Sequence, residues 1–404
     1  VAQLLEQHWL RQCARESDGE RGRIPRDLLG QRIPEHEIGE GDTAAGPQHA
    51  VHLVEPVKLD IRALGQRQED DALEFELTCY RPAGLAYADI HKCSLSSAVL
   101  AIQIGEIYDT RRPPAYRHGL ARSILEKLIP LRMREALAQE AASRPLCLTI
   151  DAGVAMLPWE ALGIEEALST KLGVSRILRA AGEGSVRPLI DKMRLPANLL
   201  LVIDPTQDLP QAGIEGDRIL RIAERYGDRF NVTVLRGADA TKERLIAEFM
   251  RSEPHIMHFC GHGMFSGDKP KQSGLVCASG EVLTGIDMAT INPLPSILIF
   301  NACLSGRLAA ACGEAVEAAG VNPAAPMTSI AEAAIYGGVS CLIGTLWPVG
   351  DAEAATFADT FYGQLLDQRT VGGAVARARA KSARPTPIHS IGRITFCMAT
   401  KAFI

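Results

Sequence analysis

Ile256-Met257-His258-Phe259-Cys260-Gly261-His262-Gly263 and, further along, Ile297-Leu298-Ile299-Phe300-Asn301-Ala302-Cys303 decide how this chain is read. Each is a short apolar run followed at once by a residue with reactive chemistry. Runs of this kind recur at Leu146–Ile150, Leu199–Ile203, Val232–Leu235 and Cys341–Leu346. Segments with helical spacing separate several of them: Gly216–Tyr226, Thr241–Met250, Ser329–Tyr336 and Ala352–Leu366. Continuously apolar strands alternating with helices imply an α/β fold, a mostly parallel sheet covered by helices on both faces. In such sheets reactive groups sit just beyond the carboxyl ends of the strands. His262 and Cys303 both stand there, and they face each other if their strands are parallel near neighbours.

The chemistry favours such a pair. A free thiol titrates near about 8.5, so little is thiolate at neutral pH. A nearby imidazole that removes the thiol proton turns a strand-end cysteine into an acyl-transfer nucleophile, and it can protonate the departing amine. Glycine on both sides of His262 permits tight turns and close approach of a substrate. The backbone N–H groups of Gly263 and Cys303 are candidates for an oxyanion hole, where one donor is typically worth about 3 kcal/mol of transition-state stabilisation.

The bulk numbers agree with a globular protein. The 404 residues are 47% hydrophobic and 23% charged, with a net charge of −5. That balance offers no basic surface for nucleic acid, and no apolar stretch has the length of a membrane span. Glu6, His8 and Arg11 break any signal-peptide core, so the chain reads as cytoplasmic. Of the ten cysteines, Cys147, Cys260 and Cys341 lie in apolar runs and read as reduced, buried thiols. No CxxC pair occurs, so no structural zinc is expected.

Three regions are expected. Residues 1–50 are polar and read as a flexible or loosely packed arm with one short helix around Leu4–Cys13. Residues 51–119 read as a small β-rich region, because Val57, Leu59 and Ile61, then Leu73, Phe75 and Leu77, fall at every second position. Gly65–Asp71 is the turn between those strands. From 120 onward, beginning with the helical spacing of Leu120, Ile124, Leu128 and Leu131, the α/β domain runs to 404.

These segments resemble the CHAT domain, a bacterial branch of the caspase-like cysteine peptidases related to separase. The family pattern, an apolar strand ending in His-Gly and a later one ending in Ala-Cys, stands here as Gly261-His262-Gly263 and Asn301-Ala302-Cys303. Further likenesses are Leu157-Pro158-Trp159-Glu160-Ala161-Leu162, Asp204-Pro205 with Asp208-Leu209-Pro210, Ser273-Gly274-Leu275 with Leu283-Thr284, and Gly344 to Asp351. The match runs over roughly residues 120–385. It implies a caspase-like fold, a His262–Cys303 catalytic dyad and no cofactor. It also implies a cysteine endopeptidase acting on a protein substrate, within a regulated bacterial defence or cell-death cascade, with an activating partner or upstream protease. Asp351 carries over as a residue that binds a basic P1 side chain. Read from the sequence alone, capping of the helix that follows is the favoured role for Asp351, and both roles can hold.

Other readings weigh against this one. A catalytically latent CHAT-fold binding or scaffold module would show the same residues. A nucleotide-binding protein is disfavoured, since there is no GxxxxGK[ST] loop and Gly261-His262-Gly263-Met264 lacks the GxGxxG spacing. His258, Cys260 and His262 fall at every second position with His255 nearby. No acidic residue has metal-ligand spacing, so His258 reads as a hydrogen-bonded structural group. Cys277 and Cys312 have no catalytic partner in the sequence. Against the family pattern, Leu304–Thr328 is a long Ala- and Gly-rich loop, expected to shape or cover the substrate groove, and Ile391–Ile404 lacks an aromatic-rich closing strand.

Overall fold

The computed structural model describes residues 56–67, 72–80, 89–109, 111–140, 144–151, 157, 159, 174–179, 196–264, 273–301, 330–345, 351–366, 371–382 and 395–399. The elements follow in chain order: β1 (Val57–Arg67), β2 (Ala72–Tyr80), β3 (Asp89–Ser96), α1 (Ser97–Tyr108), α2 (Pro114–Leu128), α3 (Leu131–Glu140), β4 (Leu146–Asp151), β5 (Val174–Arg179) and β6 (Ala197–Ile203). Then come α4 (Pro210–Arg225), β7 (Phe230–Arg236), α5 (Lys242–Ser252), β8 (Ile256–Cys260), β9 (Gly263–Met264), β10 (Gly274–Val276), β11 (Val282–Thr284), α6 (Gly285–Thr290) and β12 (Ile297–Asn301). The last are α7 (Ile330–Tyr336), β13 (Cys341–Thr345), α8 (Asp351–Leu366), α9 (Val371–Ser382) and β14 (Thr395–Ala399). Among these residues no helix is long and apolar enough to cross a membrane.

Eleven strands form one sheet in the order β3-β2-β1-β4-β5-β14-β13-β12-β8-β6-β7. Two parallel blocks make up most of it. In one, β4 pairs parallel with β1 and β5, and β5 with β14. In the other, β12 pairs parallel with β13 and β8, and β6 with β8 and β7. The blocks run in opposite directions, because β13 and β14 meet antiparallel. The carboxyl ends of β8 and β12 therefore lie at the sheet edge opposite to those of β4 and β5.

The expected strands and helices of the region from 146 to 366 are all present to within two residues at their ends, except that α4 begins at Pro210, six residues before the expected Gly216. Their physical cause is visible in the packing. Consecutive residues of each central strand point to opposite faces and both are buried. Leu199, Leu201 and Ile203 of β6, Ile256 and Cys260 of β8, and Ile297 and Ile299 of β12 pack on one side against Ile219 of α4 and Phe361 and Tyr362 of α8. Leu200, Val202, Met257, Phe259, Leu298 and Phe300 pack on the other side with Leu245 and Phe249 of α5 and Ala331 and Ala334 of α7.

One expectation is overturned. The segment after Ile391 does supply a strand, β14, and it sits in the middle of the sheet between β5 and β13. Thr395-Phe396-Cys397-Met398-Ala399 is short and has only one aromatic residue, but a strand paired on both sides needs apolar character more than aromatic bulk. The alternating residues of 51–119 do form the β1–β2 hairpin, whose strands run to Arg67 and resume at Ala72. β1 also pairs with β4, so these strands continue the main sheet. The helix read around Leu4–Cys13 and the loop Leu304–Thr328 lie outside the described residues.

Helix α4 packs unusually close to the sheet. A Cβ on Gly216 would stand 2.4 Å from Cδ1 of Ile203 and 2.6 Å from its Cγ1, whereas one on Gly213 in the same helix would meet nothing within 4 Å. A β-branched neighbour in a strand cannot swing aside. Gly213→Ala should therefore stabilise the fold by up to about 1 kcal/mol through helix propensity. Gly216→Ala should destabilise it by about 1–2 kcal/mol, because overpacking outweighs the same propensity gain. Urea unfolding of the two variants beside the parent protein checks this, and the opposite ordering would contradict the packing.

Candidate active site

The two strands that deliver the reactive residues are immediate neighbours. β8 and β12 pair in parallel from Ile256↔Ile297 to Cys260↔Asn301. Gly261 N–H extends the ladder with a 3.4 Å bond to Asn301 O. His262 stands two residues past Cys260, and Cys303 stands two residues past Asn301, which is the last described residue before it. The offsets from the paired ends are equal.

Gly261 is required by packing. Its φ is not in the left-handed range, but a Cβ there would stand 2.8 Å from Phe259 Cε1 and 3.0 Å from Pro205 Cδ. The chain after β6 thus closes directly over the exit of β8, and Asp204 N–H bonds Cys260 O at 2.8 Å. Past His262 the chain becomes β9, the outer strand of the small sheet β11-β10-β9. His262 O accepts from Val276 N–H, while Gly263 lies opposite Leu275. Because N–H groups alternate sides along an antiparallel strand, the Gly263 N–H points away from β10. It faces the open side of that edge.

The loop from β6 to α4 carries a residue that sequence reasoning noticed only as part of a motif. Asp208 Oδ1 lies 2.9 Å from His262 Nε2. The loop holds this carboxylate through a tight turn in which Asp204 and Gln207 adopt left-handed φ of 44° and 61°. Asp204 Oδ1 accepts from Leu209 N–H, and Gln207 N–H bonds Asp204 O. Backbone in this region is costly for residues other than glycine and persists where several bonds determine it. A hydrogen bond from Thr206, followed by the bond from His262, holds the Asp208 carboxyl below its ordinary range. An ionised carboxylate only accepts. In the neutral imidazole Nε2 is therefore the protonated nitrogen, and Nδ1 carries the lone pair.

Beneath the strand ends lies a buried polar cluster centred on Glu215 of α4. Asn301 Nδ2 stands 2.7 Å from each Glu215 oxygen. His258 Nε2 stands 3.1 Å from Glu215 Oε1, and His258 Nδ1 stands 3.0 Å from the Tyr362 hydroxyl. Glu215 and His258 are 3% and 1% exposed. His258 therefore has the hydrogen-bonded role expected of it. Its acidic partner comes from a different element, out of reach of any spacing rule. His255 takes no part: its Nδ1 accepts from Asn198 N–H at the opposite end of β8.

The sequence model of the CHAT domain matches residues 118–392, about two thirds of the chain. The chain belongs to the CHAT domain family. Its mostly parallel α/β sheet covered by helices, with the β-rich extension at the amino-terminal side, is the architecture that the motifs implied. Two crystal structures of the Saccharomyces cerevisiae separase–securin complex are similar. One, at 3.0 Å, is 13% identical over 63% of this chain and 15% of the matched chain, with a TM-score of 0.41. The other, at 2.6 Å, is 10% identical over 85% and 30%, with a TM-score of 0.49. The CHAT chain thus spans less than a third of the separase chains it matches. No curated protein matches its sequence.

Asp351 is the first residue of α8. Cys303, Cys312 and Trp347–Gly350 lie outside the described residues. Trp159 is fully buried, so the Leu-Pro-Trp motif serves packing: Leu157 O accepts from the buried Arg176 guanidinium at 3.0 Å. Cys260, within the CHAT motif, is no rival nucleophile. Burial first, then the charge and hydrogen bond of Glu215, push its thiol well above the ordinary range. Burial also raises Cys277 and Cys93 to about 11. In the native protein at pH 7.5, iodoacetamide should leave Cys93, Cys260 and Cys277 unmodified, as read by peptide mass mapping. After unfolding all three should label fully.

Proposed function

We propose that the protein is a cysteine endopeptidase in which Cys303 attacks the peptide carbonyl and His262 carries the proton. The observation that carries this reading is the in-register β8–β12 pair, with His262 two residues beyond one strand end and Cys303 two residues beyond the other. Neighbouring strands stand about 4.8 Å apart, and two residues reach at most about 7 Å. These distances leave a thiol at position 303 able to reach the imidazole, which supports the pairing of the two.

The described residues suit each step. Asp208 keeps the proton on Nε2, so Nδ1 takes the thiol proton as the thiolate adds to the carbonyl carbon. The oxyanion formed is held by backbone N–H groups, for which Gly263 supplies one donor on its open edge and Cys303 the other. Collapse of the tetrahedral species breaks the C–N bond, and the amine leaves with the proton from Nδ1. Water, deprotonated by the same nitrogen, then hydrolyses the thioester and returns the thiol. Asp351 at the head of α8 is our candidate for holding a Lys or Arg side chain at P1. A regulated bacterial defence or cell-death cascade, in the cytoplasm and with an activating protein, is the setting we infer on family grounds.

Cleavage of a fluorogenic peptide library by the purified protein, with Cys303→Ala and His262→Ala alongside, tests the reading. Turnover that disappears in both variants supports it, and selection of Lys or Arg at P1 supports Asp351. Turnover that survives Cys303→Ala would sink it, and silence from all three proteins favours a latent binding module. Asp208→Asn should lower kcat about tenfold with little change in KM, since an exposed carboxylate orients the base without itself exchanging the proton. Because the folded-state pKa of Asp208 is depressed, its bond to His262 is fully present above the ordinary carboxylate range. The bond is lost only as the pH falls through the lowered value, so no ionisation of Asp208 should show in kcat/KM between pH 5 and 8.

A further inference from the structure

From the buried cluster we infer that Glu215 is a positioning residue for the dyad, a carboxylate clamp that sets the exits of β8 and β12 relative to each other; this rests on the reading of His262 and Cys303 given above. Its partners are the last residues of the two strands. Asn301 ends β12 and accounts for two bonds of 2.7 Å. Cys260 ends β8, and its sulfur lies within 4.8 Å of the same carboxylate. One face of α4 thus holds the two residues from which the chain departs toward His262 and Cys303. The loop leading into the same helix supplies Asp208 to His262. A single segment, 208–215, grips both exits.

Apolar packing does not require a carboxylate here. Gly216, Ile219 and Ala223 already seat α4 on the sheet. Burying a carboxylate costs several kcal/mol unless its lone pairs are occupied, and all the described partners of Glu215 act to occupy them. Asn301 donates to both oxygens; with Glu215 ionised, His258 donates from Nε2 to Oε1, and in the neutral ring its Nδ1 accepts from the Tyr362 hydroxyl. Through that last bond the clamp reaches α8, whose first residue is Asp351. Glu215, His258 and Cys260 stand within 4.8 Å of one another, close enough to share a metal ion. The hydrogen bonds of Asn301 and His258 already occupy three of the about four lone-pair sites of Glu215, which favours the clamp over a metal site.

The test compares the parent protein with Glu215→Gln, the polarity-swapped pair Glu215→Gln with Asn301→Asp, and Tyr362→Phe. Two readouts are taken on protein whose folding is verified by circular dichroism: kcat and KM on the best peptide, and the rate of Cys303 alkylation by iodoacetamide. Glu215→Gln leaves Asn301 facing an amide, so kcat should fall about tenfold or more with KM changed less than twofold, as expected for a misplaced reacting group. The swapped pair restores a carboxylate–amide bond and should recover most of the loss. Tyr362→Phe, which keeps the ring, should show a smaller loss. Equal kcat and equal Cys303 alkylation in parent and Glu215→Gln would overturn the clamp. So would zinc that copurifies with the parent protein and is lost in Glu215→Gln. If no protein turns over peptide, the peptidase reading fails by itself. The clamp then stands or falls on whether Cys303 alkylation changes in Glu215→Gln and returns in the swapped pair.

Discussion

Pairing of β8 with β12 in parallel and in register is the constraint on which the rest of this structure depends. A strand alternates its side chains between two faces, so the register decides what each face carries. With Cys260 opposite Asn301, His258 and Cys260 face α4 and α8, while Met257 and Phe259 enter the opposite core. A slip of one residue would exchange the faces. Phenylalanine would then meet Glu215 and histidine would enter an apolar layer. The same slip would shift His262 and Cys303 by about 3.3 Å along the strands relative to each other, a displacement large on the scale of proton transfer. Core packing and active-site alignment are thus two results of one register.

Much of this was legible in the sequence, for a definite reason. β6, β8, β12 and β13 are buried on both faces, so they read as unbroken apolar runs. His262 and Cys303 stand out because each follows such a run. β5 was illegible for the converse reason. Val174-Ser175-Arg176-Ile177-Leu178-Arg179 carries two arginines, and one of them, Arg176, is nevertheless 1% exposed. Its guanidinium is directed to the carbonyl of Leu157, a tertiary partner that no local pattern announces.

The same limit governed the site. Glu215 looks like an ordinary solvated helical carboxylate, because its partners His258 and Asn301 lie 43 and 86 positions away. Buried carboxylates are identified by what surrounds them, and only the fold supplies the surroundings. Asp208 was closer to view. It stands in Asp208-Leu209-Pro210, whose proline begins α4, but its bond to His262 depends on the left-handed turn at Asp204 and Gln207. A sequence pattern can mark such a loop without revealing where its carboxylate is aimed.

The place of β14 has a consequence for the order in which the molecule can be built. Among the described strands it is the last along the sequence and the sixth across the sheet, and it joins the two oppositely directed blocks. While a ribosome is still making this protein, β5 and β13 can each be folded with one flank unpaired, and open flanks of this kind invite pairing with other chains. The block bearing the reactive strands could form early, but it cannot be tied to the other block until Thr395–Ala399 has been made. Long-range pairing of this kind is slow to find. A newly made molecule would therefore pass through a period in which its two half-sheets exist without a common seam, and the arrival of five residues ends it.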